Sequence, residues 1–291
     1  VVNVNRDVIS TQSFLRNSKK HKYNSFIFGS SRTIAYQPES WKKHLLPTDQ
    51  PFCFDASNES IWGIYKKIKF LEKIHQPINN ALVIICRDHS LAKSKNQKGV
   101  LFIKDPVTSG ESKIAFNKEF FAAYLNPLFL RCFYTYKLTH QYKDWMKGTL
   151  IDYRVKYDSV TNYINLIDQD AELKNNPDSY YAKRANQFYS RSGETTDSSV
   201  RLKTKQIEML KEIKQIFDKN KTSYKIVLSP LYEQMKFSPE DFATIKGIFG
   251  DEVYDFSGKN SFTDSKYNYY EQSHYTTAVG DSIMNVIYQP K

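Results

Sequence analysis

Short apolar runs recur along the chain, each of strand length and each closed by turn-forming residues. The clearest are residues 26–28 ("FIF"), 51–57 ("PFCFDAS"), 81–86 ("ALVIIC"), 224–230 ("YKIVLSP") and 251–258 ("DEVYDFSG"). These runs are continuous rather than alternating, which is typical of strands that are buried on both faces. The pattern therefore predicts the strands of a parallel sheet.

Between the strands, apolar residues recur with the 3.6-residue period of a helix. Such stripes cover residues 61–74, 207–217 and 279–287, and a helix is also expected from Thr33 onward. Because strands alternate with helices, we expect an α/β fold, a three-layer sandwich with a central parallel sheet.

Capping residues predict where two helices begin. Ser57 or Asn58 is available as the N-cap of the helix over residues 61–74. Residues 238–250 ("SPEDFATIKGIFG") predict a further helix, with Ser238 as N-cap, a proline at the first position and a glycine at the end.

Residues 90–201 depart from this alternation. The segment begins with a polar, lysine-rich stretch, passes through the aromatic "FNKEFFAAYLNPLFLRCFYTYKL" and ends in the polar "SRSGETTDSS". We interpret it as a large, partly helical insertion between the third and fourth core strands of a single domain, residues 1–291. Its aromatic residues could wall a pocket for an acyl chain or a sugar.

The chain is strongly basic, with 42 Lys and Arg against 31 Asp and Glu, a formal net charge of +11. Such a charge suits nucleic acid, an anionic membrane surface or a polyanionic cell-wall polymer. The lysines are spread along the chain and form no zinc-finger, RNP-type or basic-zipper pattern, so no nucleic-acid partner is expected.

The three cysteines, Cys53, Cys86 and Cys132, are scattered and form no CxxC pair. We therefore expect neither a disulfide framework nor a metal site, and no motif indicates a cofactor. No run of 18 apolar residues predicts a membrane span. The chain begins with "VVNVNRD" and without Met, so we expect that a signal or anchor preceded it and could hold it near a membrane.

Gly29-Ser30-Ser31-Arg32 follows the first strand, and functional groups in open parallel sheets gather at the carboxyl ends of strands. A serine in this turn could be a nucleophile, because a helix N-terminus behind it supplies N–H groups for an oxyanion. The same residues are common in turns and N-caps, so the stretch alone does not identify a site.

Glu271 and His274 lie three residues apart in "YNYYEQSHYTTAVGDSI", near the C-terminus. A hydroxyl nucleophile needs a base, and the base needs an acceptor that holds its other ring nitrogen. One loop could therefore supply both partners of a serine. Asp255, after the last strand, could support this loop or cap its own turn.

Four segments resemble, in order, the conserved blocks of SGNH/GDSL-type hydrolases: "FIFGSSRT", "FCFDASNESIWGIYKKIKFL", "IVLSPL" and "VYDFSGKNSFTDSKYNYYEQSHYTTAVGDSIM". They are most similar to the variety with Gly-Ser-Ser-Arg in its first block and acid-x-Ser-His-Tyr in its last. That membrane-associated group includes the D-alanine transfer protein of the teichoic-acid pathway and relatives that act beside membrane-bound O-acyltransferases. The resemblance covers residues 24–75 and 222–288.

The resemblance implies an SGNH/flavodoxin-like fold with Ser31 as nucleophile, His274 as general base and Glu271 as the orienting acid. Ser30 would replace the usual Asp of the first block. Arg32 would either pair with Asp88 or Asp55 or contact an anionic substrate.

The chain departs from the family pattern where the oxyanion hole is built. Ser57, Asn58 or Glu59 stands where the second block normally offers a glycine N–H, beside the N–H of Ser31. The third block lacks its usual Asn and has Asp88 and His89 instead, and the triad acid is Glu rather than Asp. Losing one oxyanion donor can cost about a hundredfold or more in rate.

These features lead to an expected function, a serine esterase or O-acyltransferase that acts on an acylated extracytoplasmic glycan or cell-envelope polymer through an acyl-serine. It would be periplasmic or on the cell surface and could partner a membrane O-acyltransferase. The alternative is a catalytically weak or inactive SGNH-fold scaffold for that partner. A phosphate-binding protein is a weaker alternative, because no Walker lysine and no GxGxxG is present.

Overall fold

The computed structural model describes residues 4–150 and 155–289. Residues 1–3, at the start of the chain, 151–154, within the expected insertion, and 290–291 lie outside the described residues. The chain forms a mixed α/β fold around a five-stranded parallel sheet. The predicted α/β class and central parallel sheet are confirmed.

The central sheet has the order β2-β1-β3-β4-β5, and all of its neighbouring strands are parallel. Ile27 in β1 lies opposite Cys53 on one side and Leu82 on the other, so β1 is flanked on both edges. The strands are β1 Ser25–Phe28, β2 Pro51–Cys53, β3 Asn80–Ile85, β4 Ser223–Leu228 and β5 Val253–Asp255.

The strand order reverses at β1, because the chain adds β2 at one edge and then crosses to add β3 at the other. In open parallel sheets of this kind, ligands bind outside the carboxyl ends of the strands at such a reversal. The turn that contains Ser30 and Ser31 follows β1 directly and therefore occupies this position.

Helices cover both faces of the sheet and give the three layers. The α-helices are α1 Arg6–His21, α2 Pro38–Lys42, α3 Ile61–Lys73, α4 His89–Ala92, α5 Pro106–Ser109, α6 Lys113–Tyr124, α7 Pro127–Thr139, α8 Ile167–Asn175, α9 Pro177–Lys183, α10 Thr204–Asn220, α11 Pro239–Phe249, α12 Ser261–Asp264 and α13 Thr277–Ile287. Short 3-10 helices cover Ser31–Ala35, Asp144–Met146, Ala185–Gln187, Gly250–Glu252 and Lys266–Asn268.

The two faces of the sheet carry separate apolar layers. On one face, α1, α3, α10 and α11 pack on strand residues such as Phe26, Val83 and Ile226. On the other face, α2 and α13 pack on Ile27, Leu82 and Val227. The continuous apolar runs in the sequence are thus explained, because adjacent strand residues point into different layers and both layers are buried and apolar.

Two helix predictions need correction. The helix expected from Thr33 onward is only the 3-10 helix Ser31–Ala35, because Pro38 disfavours the α conformation of the residue before it and α2 begins anew at the proline. The N-cap of α3 is Ser60, whose Oγ accepts from the Gly63 N–H at 3.3 Å, rather than Ser57 or Asn58. The Ser238 cap and Gly250 end of α11 are confirmed.

The connection between β3 and α10 contains α4 to α9 and short ladders. Lys156–Tyr157 pairs with Ile164–Asn165, and Thr195–Thr196 pairs with Met235–Lys236. None of the helices in residues 4–150 and 155–289 has the length and apolar character that crossing a bilayer requires.

Candidate active site

Gly29 shapes the turn after β1. Its φ is +154°, and a Cβ at this position would lie 2.9 Å from both the Cβ and the carbonyl oxygen of Ile84 in the neighbouring strand. Only glycine fits so close to β3 without strain. The turn therefore leaves the sheet abruptly and carries the next two serines above the strand ends.

The two serines of this turn have opposite environments. Ser30 is 2% exposed, and its Oγ lies 3.2 Å from Cys86 Sγ and caps the 3-10 helix by accepting from the Arg32 N–H at 3.5 Å. Ser31 is half-buried and directs its Oγ toward the C-terminal part of the chain. Ser30 thus shapes the turn, while Ser31 carries the accessible hydroxyl.

Glu271 and His274 lie on a short antiparallel hairpin rather than on a loop. Its strands are β6 Tyr269–Glu271 and β7 His274–Tyr275, and Glu271 lies directly opposite His274. Tyr269 and Tyr275 are buried in the apolar layer beneath α13, with ring centroids 6.4 Å apart. These two aromatic anchors hold the hairpin, and hence the glutamate and the histidine, at the edge of the sheet.

The turn and the hairpin bring three candidate residues into one hydrogen-bonded chain. His274 Nε2 lies 2.7 Å from Ser31 Oγ, although the two residues are 243 positions apart in the sequence. His274 Nδ1 is hydrogen-bonded to Glu271 Oε1. An imidazole held in this way can take a proton from the serine while the carboxylate fixes its orientation and stabilises the imidazolium that forms.

The Glu271 carboxylate is held in its charged form. Burial by itself raises its pKa, but the hydrogen bond and charge of His274, the Ser273 N–H at 2.8 Å and the Arg32 guanidinium outweigh burial and lower the pKa below its ordinary value of 4.5. Glu271 is therefore a carboxylate at neutral pH and can orient the histidine.

Arg32 joins the serine turn to the hairpin. Its Nε donates to the Ser273 carbonyl at 2.9 Å, and its Nη1 lies 3.8 Å from Asp88 Oδ1. Burial alone would lower the pKa of Arg32, but Cys86 and Asp88 outweigh it and raise that pKa. Of the two partners expected from the sequence, Asp88 is the observed one. Asp55 instead pairs with Arg6 at 2.5 Å.

The residues expected to complete the oxyanion hole lie near Ser31, on the loop after β2. The Ala56 N–H donates to the Gly29 carbonyl at 3.2 Å, which brings the loop after β2 beside the serine turn. Ser57 and Asn58 follow in this loop and are half-buried. Among the described residues, neither forms a hydrogen bond with Ser31; the Asn58 carbonyl accepts from Gln97 Nε2 at 2.8 Å.

Glu59, the third candidate for this place, points away from the site. It is 0% exposed, and its carboxylate pairs with Lys67 Nζ at 2.9 Å and Lys104 Nζ at 2.6 Å. The remaining donor is the amide of Ser31, the first of the 3-10 helix, a position that has no intrahelical partner.

Two further acids at this edge of the sheet have local roles. Asp88 Oδ1 accepts from the His89 N–H at 2.8 Å and so caps α4. Asp255 is exposed and its Oδ1 accepts from the Ser257 N–H at 2.8 Å, so it caps its own turn. No hydrogen bond links Asp255 to His274 in the part of the chain that the structure describes.

A crevice of about 620 Å³ opens beside the hairpin. Tyr232 lines it and packs edge-on against Tyr269, with ring centroids 5.5 Å apart. Its walls combine aromatic rings, cations and one acid from residues 185–193 and from the chain after β4: Phe188, Tyr189, Arg191, Tyr232, Lys259, Asp264 and Lys266. Ring faces and cations are suited to sugar rings and to anionic groups.

Sequence reasoning missed three contacts of the site: the Arg32–Ser273 hydrogen bond, the Ser30–Cys86 contact and the inward turn of Glu59. The sequence did contain one signal for the direction of Glu59, since Lys67 interrupts the apolar stripe of α3 and a buried lysine needs acidic partners.

In residues 4–150 and 155–289, no group of three or more His, Cys, Asp and Glu side chains could hold a metal ion.

Comparisons with known proteins do not assign the chain. No protein-family model matches it. No curated protein sequence matches it significantly.

Proposed function

We propose that the chain is a serine esterase or O-acyltransferase of the SGNH type that works through an acyl-Ser31 intermediate. The observation that carries the proposal is the 2.7 Å distance between Ser31 Oγ and His274 Nε2, with Glu271 bound to the other ring nitrogen. The position of Ser31 at the strand-order reversal, where such sheets bind ligands, also supports the proposal.

The geometry supports a two-step reaction. His274 Nε2 takes the Ser31 proton as Oγ attacks the ester carbonyl, and returns it to the leaving alkoxide as the tetrahedral intermediate collapses. The acyl group is then bound to Ser31. A water or an acceptor hydroxyl, deprotonated by His274, attacks this ester, and the proton passes back to Ser31 Oγ as the acylated product leaves.

The oxyanion hole determines how efficient this reaction is. The Ser31 amide is one donor, and the loop that carries Ser57 and Asn58 is held beside the serine turn by the hydrogen bond from the Ala56 N–H to the Gly29 carbonyl. Because no glycine N–H is offered there, we expect a modest rate, slower by about 10²–10³ than with a full set of donors.

The substrate that fits these surroundings is an acylated glycan or cell-envelope polymer. The crevice beside the hairpin offers tyrosine rings and three cations beside one acid, Asp264, and the chain carries a formal charge of +11. An extracytoplasmic location and a membrane O-acyltransferase partner complete the proposal on the strength of the family resemblance.

A fluorophosphonate probe, read by intact-protein mass, tests the proposal. We expect one adduct on the wild-type chain, none on Ser31→Ala, and labelling that is lost or greatly slowed in His274→Ala. Glu271→Gln should slow labelling by about 10²–10⁴, because the histidine loses its orienting charge.

Ser30→Ala is the matched control, since it removes a hydroxyl one residue away that contacts Cys86 and not His274. It should still be labelled on Ser31. Labelling of Ser31→Ala at the wild-type level would contradict the proposal.

The scaffold alternative has one observation in its favour, the lack of a hydrogen bond from Ser57 or Asn58 to Ser31 in the described residues. It predicts no adduct on the wild-type chain and unchanged partner binding in Ser31→Ala. The phosphate-binding alternative is disfavoured, because a five-residue 3-10 helix provides little dipole behind Gly-Ser-Ser.

A further inference from the structure

Helices α6 and α7 are barely covered by the other described residues. No residue of α6 is buried, and Cys132 is the only buried residue of α7. Ile114 and Leu138 are 82% and 80% exposed. Large apolar side chains are exposed along both helices and the turn between them: Ile114, Phe121, Tyr124, Leu125, Leu128, Tyr134 and Leu138. Contiguous apolar surface of this kind marks an interaction site.

Basic residues flank the most apolar part of this surface on both sides along the chain. Residues 120–130, which surround the turn between α6 and α7, contain no charged side chain. Lys113 and Lys118 precede this stretch, and Arg131 and Lys137 follow it. The one acid on the two helices, Glu119, accepts from the Gly99 N–H at 3.2 Å. The surface that meets a partner is thus apolar at the turn and cationic around it.

The apolar surface continues into a groove between the two helices and the start of α1. The groove has a volume of about 460 Å³, and its walls are mostly apolar. Val8, Phe120 and Phe129 are among its lining residues. Exposed side chains and groove together form one patch rather than isolated exposed residues.

We propose that the α6–α7 unit, residues 113–139, binds an anionic lipid bilayer. Residues 120–130 enter the boundary between headgroups and acyl chains, and the four basic residues contact the anionic headgroups. Lys118 lies six residues before the end of α6, about 9 Å along the helix axis, which matches the roughly 5–10 Å that interfacial helices bury.

The charges around the patch favour an anionic bilayer over a protein partner. The border is cationic, as an anionic surface requires, and each basic residue near such a surface adds attraction. At 12 residues, α6 is about 18 Å long, which is too short to cross a hydrocarbon core of about 30 Å.

The chain carries its own reporter of this contact. Arg131 lies over the Trp145 ring, 4.6 Å from the centroid, and Trp145 is 39% exposed. Trp41 and Trp62 are 0% and 7% exposed and belong to the apolar layers of the sheet. A change in tryptophan emission on binding therefore reports on Trp145.

Flotation of the full chain with phosphatidylcholine vesicles, with and without phosphatidylglycerol, tests the proposal. We expect binding to the anionic vesicles, weaker binding to the neutral ones, and a blue shift of Trp145 emission. The variant Phe121→Ser/Leu125→Ser/Leu128→Ser should bind at least about tenfold more weakly, with unchanged circular dichroism. Lys118→Gln/Lys137→Gln should lose the preference for anionic vesicles.

Leu46→Ser is the matched control, because Leu46 is 68% exposed but lies outside the patch, and it should bind as the wild type does. Ser31→Ala should also bind unchanged, which separates this proposal from the catalytic one. The proposal is overturned if the chain does not float, or if the triple variant floats like the wild type. Self-association that the triple variant abolishes, without vesicle binding, would assign the patch to a second copy instead.

Discussion

Ser30 and Ser31 are chemically identical neighbours that the turn assigns to different roles. The close approach of Gly29 to Ile84 directs the chain so that Ser30 faces Cys86 inside the fold and Ser31 faces His274. A hydroxyl becomes a nucleophile only when a base lies within hydrogen-bond reach. The assignment therefore depends on the direction of one side chain rather than on the type of residue.

The lowered pKa of Glu271 makes the stability of the chain depend on pH. Because that pKa is lower in the folded chain than its ordinary value of 4.5, the carboxylate stabilises the fold at pH values above about 4.5. This contribution is lost as the pH falls through the lowered folded-state pKa. In urea unfolding at a series of pH values, the stability difference between wild type and Glu271→Gln should be constant near neutral pH and shrink below pH 4.5.

Glu111→Gln is the control for this experiment, since Glu111 is exposed at the surface. Its stability difference from the wild type should stay small across the series. A Glu271→Gln difference that grows as the pH falls would contradict the prediction.

Helix α13 supports the site from behind. A Cβ at Gly280 would lie 1.9 Å from the Ala35 carbonyl oxygen, so α13 packs directly on the backbone of the 3-10 helix that begins with Ser31. Any side chain at this position would separate the two helices. The spacing between α13 and the serine turn thus depends on one glycine.

Gly280→Ala should therefore destabilise the fold and reduce Ser31 labelling together. We expect a loss of about 1–3 kcal/mol of unfolding free energy, as for other overpacked sites. Gly247→Ala in α11 is the matched control, since Gly247 is exposed and a Cβ there would have no neighbouring atom within 4 Å. It should gain roughly 0.5–1 kcal/mol, because alanine is the better helix former. Equal effects of the two substitutions would refute this explanation.

A network of buried charges connects α1, α3 and the chain between β3 and α10. Lys67 pairs with Asp7 and Glu59, each at 2.9 Å, and all three side chains are at most 1% exposed. Lys104, which precedes α5, pairs with the same two acids. Burial would raise the pKa of Asp7, but the two lysines outweigh it and lower that pKa. The network is neutral overall, with two acids and two lysines.

Lys67→Met should destabilise the whole chain strongly, because it leaves two buried carboxylates with one cation. We expect a loss of about 3–5 kcal/mol in chemical unfolding. Lys246→Met is the control, since its ion pair with Asp251 lies at the surface and is worth at most about 1 kcal/mol. A Lys67→Met chain as stable as this control would show that the network contributes little.

Local patterns were sufficient for most of the fold. The apolar runs of β1 to β5 and the cap of α11 depend on neighbours in the sequence, and both were predicted. The helix expected from Thr33 was wrong, because the chain must turn again at Pro38 to bring Trp41 under α13. The direction of the Glu59 side chain could not be predicted from neighbouring residues, since its partners Lys67 and Lys104 lie in α3 and just before α5.

The sequence by itself determined the strands, the class of fold and which residues could form a set of serine, histidine and acid. The spacing of apolar residues and the chemistry of each side chain are local properties that neighbouring residues reveal. Only the tertiary structure decided that Ser31 rather than Ser30 meets His274, that Arg32 ties the turn to Ser273, and that α6 and α7 stay uncovered. These outcomes depend on distances between residues far apart in the chain, which packing alone sets.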